Sequence, residues 1–206
     1  MKKIIFLLVA LSMSCKPDNK KTKEFDSVAV SINDDAMQKY QDYILGYRHD
    51  EEVLDTVLLE LNRAIDIDSS NYVFYTNKAN VLSLLNKHTR AIKALEKIAE
   101  IKPNFAENLT SLGLLNEHIG LDSIAQSWYS RAIKAYDKRI EDDLYVVNSK
   151  INRAYLLFFT EGKEQALKAF EAVKLEYPNS EEVLYMESLF TEFDREETLN
   201  NLFPVN

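Results

Sequence analysis

Small and bulky apolar residues return along this chain at a fixed interval of 34 positions. Val57, Ala91 and Ala125 form one such series, Leu61, Leu95 and Tyr129 a second, and Ala64, Ile98 and Ala132 a third. The upstream half of the unit repeats as well, Tyr75 corresponding to Leu109, Ala79 to Gly113 and Leu82 to Asn116. A fixed period of this size marks a stacked array in which each unit is one supersecondary element. Between Tyr72 and Asn104, Tyr75, Ala79 and Leu82 share one helical face, Asn86 to Thr89 is a polar break, and Ala91, Ile92, Leu95 and Ile98 make a second face. Pro103 then stops the second helix, because proline lacks the amide proton that the helix needs. The pattern predicts helix, turn, helix, stop.

The unit from Ala106 to Ala135 repeats this arrangement with Leu109, Leu112, Gly113, Asn116, Gly120, Ala125, Tyr129 and Ala132. Small residues recur where two helices must cross closely and bulky ones where they interlock. Two further units are degenerate. Upstream, Val57, Leu61, Ala64 and Ile65 predict a second helix, and Tyr40, Tyr43, Ile44 and Tyr47 a first helix from about Ala36 to Arg48. Downstream, Ala154, Leu157, Ala166, Phe170, Val173 and Pro178 rebuild the pattern. Ala125 lies 41 positions before Ala166, seven more than the period. Seven residues are almost two helical turns, about 10 Å of rise, so the buried faces stay aligned, and the two helices that meet around Tyr136 to Val147 should each be longer than average and protrude there. Asn179 to Glu182 should cap a last helix ending near Phe193, and Arg195 to Leu202 should add a short one.

These residues resemble the tetratricopeptide repeat family, with Tyr75, Ala79, Leu82, Ala91, Leu95 and Pro103 in one unit and Leu109, Leu112, Gly113, Ala125, Tyr129 and Ala132 in the next. The resemblance implies an all-α, right-handed superhelical array of about four helix-turn-helix units with a C-terminal capping helix, over residues 34–195. It also implies a groove lined by the first helix of each unit, which binds a protein or peptide. Helical spacing turns Val73, Thr76, Asn77, Asn80 and Ser83 toward that groove, then Glu107, Thr110, Leu114 and Glu117, then Leu144, Asn148, Ile151, Tyr155 and either Phe158 or Phe159, and finally Tyr185, Leu189 and Phe193. Asn77, Asn80, Ile151, Tyr155, Phe159, Tyr185 and Leu189 are the candidate binding residues. The groove should begin polar and end apolar. Tyr155, Phe159, Tyr185 and Leu189 should form one apolar surface, filled by the chain's own tail from Leu199 to Val205, by a partner, or by simple packing between neighbouring helices.

The N-terminus reads as an address. Lys2 and Lys3 precede eight apolar residues, Ile4 to Leu11, and then Ser12, Met13, Ser14 and Cys15. This run is short of the roughly 20 residues of a membrane span and fits the apolar region of a secretory signal. It resembles a bacterial lipoprotein signal, which implies cleavage after residue 14, acyl chains on Cys15 and, with Lys16 following, placement at the outer membrane of the cell envelope. The alternatives are an ordinary signal peptide cut nearby and an uncleaved anchor with an incidental cysteine. Residues 15–33 read as a flexible tether, since Lys16 to Glu24 contains no residue able to seed a core.

Composition narrows the function. Four Gly and four Pro in 206 residues suit long helices and not a many-stranded sheet. The formal charge of −8 becomes −10 once Lys2 and Lys3 are removed, which speaks against nucleic acid. Cys15 is the only cysteine, so no disulfide closes within the chain. His49, His88 and His118 sit near helix ends in separate repeats and do not suggest a metal site. No phosphate-cradling glycine loop, zinc-binding histidine pair or nucleophile elbow is present, so neither a cofactor nor catalysis is expected. The expectation is a membrane-anchored protein-binding scaffold. Its alternative is a structural subunit of an outer-membrane assembly or export complex, and a weaker one, resting only on 21 Tyr and Phe, is capture of a glycan or small molecule.

Overall fold

The computed structural model describes residues 25–203. Cys15 and the signal-like segment lie outside the described residues. Ten helices are described, with no strand among them. They are α1 (Ser27–Ile44), α2 (Glu52–Ile67), α3 (Tyr72–Leu84), α4 (His88–Ile101), α5 (Ala106–His118), α6 (Asp122–Glu141), α7 (Val146–Thr160), α8 (Lys163–Glu176), α9 (Glu181–Thr191) and α10 (Arg195–Leu202). The all-α class and the helix-turn-helix units read from the sequence are present. The chain divides directly after Pro103, so that residues 25–103 form one compact unit and residues 104–203 another.

In residues 25–103, α1 pairs with α2 and α3 with α4. Ala29, Ala64 and Phe74 form a core cluster, flanked by Val30, Ile32 and Ile65. The expected boundary between tether and array at residue 33 is corrected here. Helix α1 begins at Ser27, because the Asp26 carboxylate accepts hydrogen bonds from the amides of Val28 and Ala29 at 2.9 and 3.0 Å. That cap satisfies two of the amides left over at a helix start. Ala29, Asn33 and Ala36, at i, i+4 and i+7, are then buried on one face. The helix also stops at Ile44, earlier than Arg48, because Gly46 takes a left-handed φ of +77°.

The same turn closes other first helices. The amide of Leu121 donates to the Asn116 carbonyl at 2.8 Å and that of Gly120 to Glu117 at 2.9 Å, with Gly120 left-handed. Lys87 to Leu82 and Asn86 to Ser83 repeat the pair of bonds at 2.8 and 3.0 Å, with Asn86 left-handed. This double bond around one left-handed residue satisfies the last carbonyls of a helix. Asn86 and Gly120 stand 34 positions apart, so the period extends to the backbone of the turns.

In residues 104–203, α5 pairs with α6 and α7 with α8, while α9 packs on both α7 and α8. Helix α6 has 20 residues where α4 and α8 have 14, as the seven-residue surplus predicts. Its extension is anchored at the root. Tyr136 is fully buried, and the Arg139 guanidinium grips the Glu107 carboxylate with two bonds of 2.5 and 2.8 Å. The Ser180 hydroxyl caps α9 by accepting from the Val183 amide, and Asp194 caps α10 by accepting from the Glu197 amide. Among the described residues no helix is long and apolar enough to cross a membrane, and no group of three or more His, Cys, Asp or Glu is arranged to hold a metal ion.

Candidate functional site

Two surfaces carry the predicted binding residues, one in each compact unit. In residues 25–103 it is the polar side of α3. The opposite side of this helix is core, with Phe74, Ala79, Val81 and Leu82 buried. Val73 is exposed, and Thr76, Asn77, Asn80 and Ser83 are half-buried. Asn77 is partly committed, because its amide donates to the Asn33 carbonyl oxygen at 2.7 Å and ties α3 to α1. Thr76 returns its hydroxyl to the Tyr72 carbonyl at 3.2 Å. Asn80 follows between Asn77 and Ser83 in sequence and is half-buried.

In residues 104–203 the predicted apolar residues come together differently from expectation. Ile151, Tyr155 and Phe159 are buried on α7, and Leu189 is half-buried on α9. Tyr185, expected to join them, is 64% exposed, which corrects the single surface of Tyr155, Phe159, Tyr185 and Leu189. The rings that meet Tyr155 and Phe159 come instead from Phe190 and Phe193. Tyr155 lies edge-on to Phe190 and Phe193 at centroid distances of 6.0 and 5.8 Å, and Phe193 stacks on Phe158 at 3.8 Å. Phe170 stacks on Phe190 at 3.9 Å. Such pairs stabilise beyond the area they bury. The register of α9 explains the change. Val183 and Phe190, seven residues apart, take its inner face, and Tyr185 is left on the outer side.

Helix α10 packs against α5, in the same unit. Arg195 donates from Nε to Glu117 Oε1 at 2.6 Å and from its terminal nitrogen to the Phe159 carbonyl at 3.4 Å. The Tyr129 hydroxyl donates to the other Glu117 oxygen at 2.9 Å, and Gln126 donates to the Phe159 carbonyl at 2.9 Å. Lys163 reaches the Phe193 carbonyl at 3.3 Å, and the Phe203 ring lies 5.1 Å from the His118 imidazole. The chain's own end therefore occupies this face. Burial, and then the Glu117 carboxylate beside it, push the Tyr129 phenol well above its usual range. Burial does the same to Tyr136 and Tyr155 and lowers His118.

Sequence reasoning found no cation among the groove-facing positions. The structure brings two from elsewhere, Arg139 onto Glu107 and Arg195 onto Glu117. Glu107 and Glu117 were both among the facing residues, and two inward acids in an apolar setting are a signal that guanidinium partners are needed.

This is an all-α protein built of repeated helix hairpins. Residues 72–105, which span α3 and α4, match the family model of the tetratricopeptide repeat. The chain is similar to Superkiller complex protein 3 of Homo sapiens, 34% identical over 109 residues, 53% of this chain and 7% of that protein. It is similar also to the Hsp70-Hsp90 organizing protein of Triticum aestivum, 31% identical over 80 residues, 39% of this chain and 13% of that protein. The matches thus span a small fraction of the length of these curated relatives. Among solved structures, one crystal structure of MamA protein shares 16% identity at a TM-score of 0.43, covering 74% of this chain and 91% of that one. A second MamA crystal structure shares 14% at 0.41, covering 87% and 100%.

Proposed function

We propose that this chain is a protein- or peptide-binding scaffold of the bacterial cell envelope, held at the outer membrane through acyl chains on Cys15. The observation that carries the binding role is the α3 ridge. Val73, Thr76, Asn80 and Ser83 recur at spacings of three and four on one side of a helix whose other side is core. They lie within the segment that matches the tetratricopeptide repeat. A helix lined this way offers hydrogen-bonding groups on a rigid support, which suits an extended or helical peptide laid across it. The organizing protein among the relatives bears a name of the same kind, an organiser of other proteins. The anchoring role is supported by the basic start, the short apolar run and the position of Cys15. Several acyl chains on one residue hold firmly, at about 0.8 kcal/mol per buried methylene.

One experiment addresses both parts. The tagged protein is purified from membranes beside two variants, Cys15→Ser and Thr76→Ala with Asn80→Ala. Cys15→Ser should lose fatty-acid labelling and leave the membrane fraction. The α3 variant should keep both but lose a co-purifying protein at nearly unchanged melting temperature. Unchanged labelling of Cys15→Ser would sink the anchor, and an unchanged set of co-purifying proteins would sink the α3 site.

A second reading, a permanently docked subunit of an outer-membrane assembly, is favoured by the outer side of α6. Ile124 is exposed there, next to the exposed Leu121, and Trp128 is half-buried one turn on, under the Arg131 guanidinium at 4.4 Å. Loss of the complex in Ile124→Glu, with the α3 variant unaffected, would select this reading.

A further inference from the structure

Helix α10 is placed like a ligand. It has eight residues, none of them buried, and isolated helices of that length are unstable in water. Its attachment comes from a few anchors. Phe193 before it and Phe203 after it are buried, and Arg195 forms the ion pair with Glu117. The Glu117 side chain is only 8% exposed while that of Arg195 is 46% exposed, so the acid belongs to the floor and the base to the cover. Beneath lie the Phe159 ring, whose centroid is 5.4 Å from the Arg195 guanidinium, and the Phe158 ring, stacked on Phe193.

We propose that α10 is a displaceable occupant of this face, and that the segment which replaces it is a peptide presenting an arginine to Glu117 and an aromatic side chain to His118. The inference deepens the scaffold reading, on which it rests, by naming a second binding face and the chemistry of its partner. Glu117 sets that chemistry. A segment that covered this carboxylate again without a cation would leave it only the Tyr129 hydroxyl, a single neutral donor, and a buried anion so placed is costly. An incoming segment must therefore supply a cation. Arginine suits better than lysine, because one fork reaches both the Glu117 carboxylate and the Phe159 carbonyl. The aromatic requirement follows from Phe203, whose ring tilts over His118 at 43° and is buried. Such a face is closed in the resting chain and opens only to a sequence able to compete with residues 194–203.

The test needs neither membrane nor natural partner, so its failure is separable from failure of the scaffold reading. Hydrogen exchange on the intact chain should show α10 amides exchanging at least tenfold faster than those of α7. A fluorescent peptide of residues 194–203 should bind the full-length Arg195→Glu variant at least tenfold more tightly than the wild type, whose own α10 competes. The same peptide carrying Arg195→Glu should bind neither. Exchange protection of α5 to α8 is read in parallel. Equal protection of α10 and α7, equal peptide affinity for variant and wild type, or loss of α5 to α8 protection in Arg195→Glu would each overturn the proposal, making α10 a permanent part of the fold.

Discussion

The ring of Tyr129 occupies the space where a β-carbon on Gly113 would stand: a methyl group built there would lie 2.3 Å from the Cδ1 and Cε1 atoms of the ring. Tyr129 is fully buried, so the α5–α6 crossing is set by a missing side chain on one helix and an aromatic plate on the other. Gly113→Ala should therefore destabilise residues 104–203 by about 1–3 kcal/mol or more through overpacking, although alanine is the better helix former. Tyr129→Leu should restore part of the loss in the Gly113→Ala background. Denaturant unfolding of both single variants and the double checks this, and strict additivity would remove the proposed contact.

Ala125, fully buried at the start of α6, tests the repeat register itself. Ala125→Leu should cost about 1–3 kcal/mol. Lys87→Ala, in the turn before α4 with an exposed 3.4 Å ion pair to Asp55, should stay within about ±0.5 kcal/mol. Equal melting temperatures would refute this assignment of close contacts.

Arg139 and Glu107 hold the long α6 by a two-pronged, largely sheltered pair. Arg139→Ala should lower stability by about 1–3 kcal/mol, because it strands a carboxylate. Arg139→Lys should recover less than half of that, since an ammonium cannot reproduce the fork. Full recovery by lysine would show that charge alone matters there.

Three buried phenols and the half-buried one of Tyr40 bear on alkaline behaviour. Burial pushes Tyr40 up to about 12, and Tyr129, Tyr136 and Tyr155 are raised further. A phenol with a folded-state pKa above its unfolded value near 10 contributes stability that is intact below pH 10 and lost as the pH climbs through the folded value. Absorbance at 295 nm should therefore show the ionisation of these four phenols withheld until the helical circular dichroism collapses. A single transition near pH 10 with helicity intact would contradict the burial of these rings.

The repeat was legible because its signals are local and periodic. Ala125, Gly113 and Tyr129 announce a close crossing through size alone, and Asn86 and Gly120 mark equivalent turns. The start of α1 was legible in principle, in Asp26 followed by Ala29, Asn33 and Ala36, but a polar stretch upstream drew the boundary seven residues too late. Tyr185 was placed by helical spacing in a helix whose packing face is chosen by Val183 and Phe190. The arginine ties could not be read from spacing, because Arg139 and Glu107 are 32 residues apart and Arg195 and Glu117 are 78 apart. The Cys15 anchor rests on the sequence alone.

That last separation has a kinetic meaning. Most side-chain ties between helices in this protein join neighbours in sequence order, within a few tens of residues, and chains dominated by short-range contacts fold fast. Closing a 78-residue loop rather than a 34-residue one adds about 0.7 kcal/mol of chain entropy. The Arg195–Glu117 bond should thus be the last to form after synthesis and the first to break under stress. A nascent chain whose residues 194–203 have not yet been released would pass through a period in which its aromatic floor is open to whatever lies nearby.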